Sequence, residues 1–230
     1  MKVARGLGFE PSARQMDAFA RYAEELARAN EAVRLVGSTD LRELYIRHFL
    51  DSLTLLPVLP PGPLSMVDVG AGAGFPGLPL KVARPEIELV LLESVGKKAA
   101  FLEGVIAALE LTGARVTADR AEEAGHEEAC RERYDVAASR ALAELSVGME
   151  LCLPLVRVGG LYVAMKKGDV SGELARAARA FDLLQAQLLE VRDAGVPDLL
   201  PGHQLVVIEK RGPTPDRYPR RAGVPAKRPL

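Results

Sequence analysis

After residue 63 the chain alternates short apolar runs with helical stretches, and this alternation restricts its fold more than any other feature. The strand candidates are 65–69, 88–93, 115–118, 134–139, 161–166 and 204–210, with a further strand at 188–193. Helical stretches lie between them at about 77–84, 95–111, 121–131, 144–153 and 171–184. Parallel strands need a crossover long enough to hold a helix, and both faces of the resulting sheet become covered. The expected fold is therefore α/β, doubly wound around a mostly parallel sheet.

The residues before this alternation read differently. Met16, Phe19, Ala23, Leu26 and Val33 recur at helical spacing within 12–33, with Ser12 placed to cap the start. A second helix follows Asp40, with Glu43 three residues on as in a capping box, and carries Leu41, Leu44, Tyr45, His48 and Leu53. Residues 57–63 hold four prolines and one glycine, a rigid linker. The expected organisation is an N-terminal helical extension at 1–60, a ligand-binding domain at 61–212 and a basic tail at 213–230.

That tail matters because the net charge of the whole chain is only −1. From Lys210 to Leu230 there are seven lysines or arginines against one acid, Asp216, so the rest is acidic. An acidic body with a basic end points toward a nucleic-acid partner. Two cysteines, Cys130 and Cys152, form no metal or disulfide pattern, so neither a metal nor an oxidising compartment is expected. Residues 1–11 lack the apolar core of a signal peptide, and no apolar run is long enough to span a bilayer. A soluble, cytoplasmic protein is expected, and nothing calls for an obligate dimer, so a monomer.

The segment Val67-Asp68-Val69-Gly70-Ala71-Gly72-Ala73-Gly74-Phe75-Pro76-Gly77 leaves the first strand and enters a helix. Glycines at alternate positions let backbone pass close to a ligand, where a Cβ would collide with it. Open α/β sheets bind ligands at this carboxyl edge. Glu93 ends the second strand, placed to accept both ribose hydroxyls of an adenosine. These features fit S-adenosylmethionine and NAD alike, because Gly72-x-Gly74-x-x-Gly77 also satisfies the dinucleotide pattern. Asp68 leans toward S-adenosylmethionine: a buried acid needs compensation, which an amino group or the loop's own amides can give and a pyrophosphate cannot.

The run DVGAGAGFPGLPLKVARPEIELVLLESVGKKAAFLEGV at 68–105 resembles the core of bacterial 16S ribosomal RNA guanine-N7 methyltransferases. This is the small-subunit methyltransferase G family, also called glucose-inhibited division protein B. Four further segments match in the same order. They are RHFLDSL at 47–53, SRA at 139–141, VVIEK at 206–210, and YPRRAGVPAK at 218–227 against the family's YPR-x-G-x-P-x-K ending. The chain departs from the family at Arg34-Leu35-Val36, at the doubled lysine Lys166-Lys167, and at His203, where the family often has arginine.

The resemblance implies a class I S-adenosylmethionine-dependent methyltransferase with a seven-stranded sheet. Its reaction would carry a methyl group to N7 of the guanine at position 527, in the 530 loop of 16S ribosomal RNA or the small subunit. It also implies a cofactor site at Gly70, Phe75, the Ala121–Glu122 pair and Arg140, to which the loop reading adds Gly72, Gly74 and Glu93. Arg140 at the end of the fourth strand suits a carboxylate or a phosphate. Lys166, Lys167, Arg217, Arg220, Arg221, Lys227 and Arg228 are candidates for RNA phosphate contact, which positions RNA without reading its sequence. His48 and Asp51 either line the target-base pocket or pack the second helix on the domain.

Guanine N7 has a free lone pair and no proton to lose, so the reaction needs no general base, and orientation of the reactants dominates. Two other readings of the residues stay open. One is an NAD-dependent oxidoreductase; the other is a non-catalytic RNA-binding or assembly factor on the same fold. Replacing Gly72 with Asp is expected to abolish cofactor binding through bulk and repulsion while leaving the fold intact. Calorimetric titration with S-adenosylmethionine, alongside a melting curve, checks both halves of that expectation.

Overall fold

In the computed structural model the described residues are 6–194, 196 and 199–230. Residues 1–5 of the expected N-terminal extension, and 195, 197 and 198 of the expected main domain, lie outside them. Every expected strand is present: β1 (Leu64–Val69), β2 (Ile87–Leu92), β3 (Ala114–Thr117), β4 (Tyr134–Arg140), β5 (Val156–Lys167), β6 (Ala186–Asp193) and β7 (His203–Lys210). They form one seven-stranded sheet in the order β3-β2-β1-β4-β5-β7-β6. The pairs β1–β2, β1–β4, β2–β3 and β4–β5 are parallel, whereas β7 runs antiparallel to both β5 and β6.

Strand order reverses between β1 and β4, and the glycine loop leaves β1 at that switch point. Side chains alternate across the sheet, so neighbouring residues enter different cores. Met66, Leu89 and Leu91 pack on one face with Phe19, Tyr22, Leu26 and Phe49 from the N-terminal segment. Val67, Val90 and Leu92 pack on the other with Met149, Leu153, Tyr162 and Tyr218. The N-terminal helices thus share a core with the sheet.

The helices are α1 (Ala13–Asn30), α2 (Leu41–Leu44), α3 (Asp51–Leu53), α4 (Gly77–Ala83), α5 (Gly96–Ala108), α6 (Ala121–Ala124), α7 (Leu145–Cys152), α8 (Ser171–Arg176), α9 (Ala178–Leu183) and α10 (Val224–Lys227). Ser12 and Gln15 close a full capping box at the start of α1, and Gln15 also donates to the carbonyls of Val82 and Ala83 at the end of α4. Asp40 caps α2 through the amide of Glu43. The proline segment is pinned by Arg84, which donates to the carbonyls of Pro60 and Gly62.

Three local differences from the sequence expectation stand out. Between α2 and α3 the chain takes a π-helical turn, Tyr45–Leu50, a distortion that often accompanies a functional site. The helix expected at 121–131 stops at Ala124, and its cap Gly125 lies against Pro219, where a Cβ would not fit. The helix expected at 171–184 is divided at Ala177, which is fully buried.

The tail is a strap folded along the domain rather than a free arm. Lys210 is wholly buried, and its ammonium donates to Glu132 (2.7 Å) and to the carbonyls of Leu153 and Val156. Arg131 donates to the carbonyls of Gly125, Tyr218 and Thr214. Arg220 grips the fully buried Glu150 through its backbone amide, Nε (both 2.8 Å) and Nη2 (2.6 Å). This corrects the reading of Arg220 as a phosphate contact: its guanidinium is the counter-charge that makes a buried carboxylate tolerable. Lys166 is likewise engaged, with Glu173 (2.6 Å) and the carbonyl of Ala143. Removing one partner of a buried ion pair leaves the other charge uncompensated, at a cost of roughly 3–5 kcal/mol. Arg220→Ala is therefore expected to lower unfolding free energy by about 3 kcal/mol in urea titration, with Arg221→Ala nearly neutral because Arg221 is exposed.

Candidate active site

The carboxyl ends of β1, β2 and β4 bring most of the expected site residues together. Gly70 and the loop after it rest on the end of β2, with the amides of Gly70 and Ala71 donating to the carbonyl of Leu92. Gly72 has a left-handed backbone (φ 59°), and a Cβ there would meet nothing closer than the Gly70 carbonyl at 3.8 Å, so the space above it is open. Gly74 is different. A Cβ at that position would lie 2.5 Å from Leu78 and 2.6 Å from the Tyr22 hydroxyl, so glycine is required by packing. The Tyr22 hydroxyl donates to the carbonyl of Ala73, which fixes the loop from the N-terminal side.

Glu93 is buried at the end of β2. One carboxylate oxygen accepts from the amide of Gly72 (2.9 Å) and the other from that of Val95 (2.8 Å). Its side chain therefore already orients the glycine loop, a role the sequence did not reveal.

Beneath the loop, Asp68 is completely buried. Its Oδ2 accepts from the amide of Gly77 (2.8 Å), while Oδ1 has no hydrogen-bond partner among the described residues. Burial pushes its pKa up to about 7, against the opposing effects of the Gly77 amide and Arg140. The loop amide of Gly77 thus supplies one of the two compensations considered for this acid. The open cradle at Gly72, the acid at the end of β2 and the orphaned Oδ1 together fit a ligand carrying hydroxyls and an amino group.

Phe75 is 3% exposed and sits inside an aromatic cluster. Its ring stacks on His48 (4.8 Å, 15°) and Tyr22 (5.5 Å, 25°), with the Arg140 guanidinium 4.7 Å from its centroid. Arg140 also donates to Asp51 (3.4 Å) and to the carbonyl of Arg47 (3.1 Å). Asp51, itself buried, binds His203 at 2.9 Å through its other oxygen. Asp51 thus ties the N-terminal helix to the ends of β4 and β7. Tyr22 lay on the apolar face of α1, a signal that could have flagged it. Nothing in the sequence pairs Asp51 with His203, 152 residues away.

Ala121 and Glu122 begin α6, just beyond β3. Glu122 accepts from the amide of Gly223 (2.9 Å), so this part of the site is shared with the tail strap. Arg221 lines the same cleft, together with His126 and Arg217. Lys167 is exposed at the end of β5, and Lys227 is exposed on α10. Among the described residues there is no group of three His, Cys, Asp or Glu able to hold a metal, and no helix long and apolar enough to cross a membrane.

A sheet in this order with an antiparallel β7, a glycine loop at the switch point and an acid ending β2 defines a class I S-adenosylmethionine-dependent methyltransferase. The profile of the GidB family, described as rRNA small subunit methyltransferase G, matches residues 15–199, and the chain belongs to that family. The ribosomal RNA small subunit methyltransferase G of Roseiflexus sp. (strain RS-1) is 46% identical over 230 residues, covering 100% of this chain and 98% of that one. Its namesake from Lactobacillus johnsonii is 41% identical over 226 residues, 97% and 95% of the two chains.

Among solved structures, the 1,6-didemethyltoxoflavin-N1-methyltransferase of Burkholderia thailandensis, with S-adenosylhomocysteine bound, superposes at a TM-score of 0.56. The two are 13% identical, over 88% of this chain and 93% of that one. The ribosomal protein L11 methylase of Lactobacillus delbrueckii gives 0.52 at 14% identity, over 71% and 77%. Both confirm the fold. The cofactor is S-adenosylmethionine, and the NAD-dependent alternative falls with the family assignment.

The raised pKa of Asp68 has a stability consequence. The native state holds this proton up to about pH 7, whereas the unfolded chain releases it near 3.8. Between those values the unfolded state binds fewer protons, so stability falls as pH rises. In urea unfolding without cofactor, wild type is expected to lose a few kcal/mol relative to Asp68→Asn between pH 4 and pH 8.

Proposed function

We propose that this chain transfers the methyl group of S-adenosylmethionine to N7 of a guanine in 16S ribosomal RNA, the guanine of the 530 loop. One observation carries the reading: membership of the small-subunit methyltransferase G family coincides with an intact cofactor cradle at the sheet's switch point. When bound, S-adenosylmethionine supplies an electrophilic methyl group. The chain's own contribution is orientation. Gly70 and Gly72 let the backbone approach the cofactor, Gly74 holds the loop tight against Leu78 and Tyr22 beside it, Glu93 receives the ribose hydroxyls, and Ala121 and Glu122 meet the adenine. Phe75 and Arg140 close the end nearest the N-terminal helices. Holding two reactants in line can lower such a barrier by roughly 7–11 kcal/mol. That suffices for a nucleophile that has no proton to lose.

N7 lies on the major-groove edge of guanine, which side chains cannot reach in A-form RNA, so the target must be an unpaired or open base. Lys167, Arg221 and Lys227, all exposed, are assigned to phosphate contact, with Arg217 and Arg228 beside them. Arg220 is left out because Glu150 holds it. The protein acts as a monomer in the cytoplasm, where its substrate is found.

The test is a map of 7-methylguanine in 16S ribosomal RNA from cells with and without the gene, and after complementation. A single modification lost and regained in the 530 loop is expected. An unchanged map, from a protein that still binds S-adenosylmethionine, would instead identify a non-catalytic RNA-binding factor.

A further inference from the structure

The column of rings Tyr22–Phe75–His48 begins beneath the glycine loop, and His48 forms one end of it. Phe75 follows Gly74 directly, so the column is fixed to the loop by one peptide bond. His48 itself is only partly buried and lies within the π-helical turn, a distortion frequent at functional sites. Its Nδ1 is completely buried and has no hydrogen-bond partner among the described residues. A buried polar atom without a partner is costly, and native structures retain few of them.

We infer that His48 seats the target base: the purine stacks on the imidazole end of this column, a ring that is only partly buried. This assignment rests on the guanine reading above. Base–aromatic stacking is the commonest way in which proteins hold a splayed-out nucleotide.

The electrostatics agree. Burial, together with Arg140 and Arg47, pushes the His48 pKa down to about 4, so the ring is neutral at physiological pH. Methylation at N7 makes the base cationic, and a neutral ring does not oppose that charge. Asp51, one turn further on, holds Arg140 at 3.4 Å and so keeps the nearest cation paired.

The assay uses small subunits from a strain lacking the gene, with 16S RNA extracted from them as a second acceptor. Wild type must first methylate guanine N7 in one of these; if it does not, the guanine reading fails before His48 is tested. With that activity in hand, His48→Ala is expected to lower kcat/KM for RNA by about tenfold to a hundredfold. Its S-adenosylmethionine affinity should stay within about twofold of wild type, which also reports a folded site. His48→Phe, which keeps a ring on the column, should regain most of the rate. Wild-type kinetics in His48→Ala would overturn the proposal. So would an equal loss of cofactor affinity, since the ring would then merely buttress Phe75, or a His48→Phe variant as slow as His48→Ala.

Discussion

The hydrogen bond from the Gly77 amide to the buried Asp68 carboxyl is the constraint on which the active-site edge depends. It joins the end of β1 to the first residue of α4, and the glycine loop lies within the eight residues between them. With both ends fixed, the loop has little freedom, and Glu93 and Tyr22 remove most of what remains, one from each side. Gly77 itself cannot grow: a Cβ there would lie 2.9 Å from the Asp68 carboxyl and 2.8 Å from Leu91. The loop is therefore shaped before any ligand arrives, which is the condition for binding without a large ordering cost.

A second anchor lies across the edge. Asp51 reaches the end of β4 through Arg140 and the start of β7 through His203. The N-terminal helices are held to the sheet by this polar joint as well as by the core around Phe19, Tyr22 and Phe49. Phe75 lies where the two systems meet, ringed by Tyr22, His48 and Arg140. The N-terminal segment is consequently a wall of the site and not an appendage to it.

The strands were readable because each is a short apolar run bounded by turn residues, and six of them needed no other signal. Direction was not readable. Apolar periodicity is the same for a strand running either way, so the antiparallel insertion of β7 between β5 and β6 left no trace. The tight turn between β1 and α4 was legible in its glycines and Glu93 as an acid ending β2, although its hold on the Gly72 amide was not. Side-chain partners at long range were not legible. Arg220 read as a free cation because Glu150 stands 70 residues earlier, in a helix that otherwise reads as apolar. His48 and Asp51 share one short motif, yet one stacks and the other bridges, a distinction made by the π-helical turn between α2 and α3.

The strap that closes on Glu122 also sets an order of events during synthesis. The first turn of α6 is held by the amide of Gly223, which leaves the ribosome 101 residues after it. At about 5–20 residues per second, that interval is on the order of 5–20 s. For that time the nascent chain can build β1 to β4 and the glycine loop, yet it lacks the segment that steadies α6. Buried Glu150 waits for Arg220 over most of the same interval. A member of a ribosomal RNA methyltransferase family thus emerges from a ribosome with α6 unsteadied, and completes that edge only when the strap has followed.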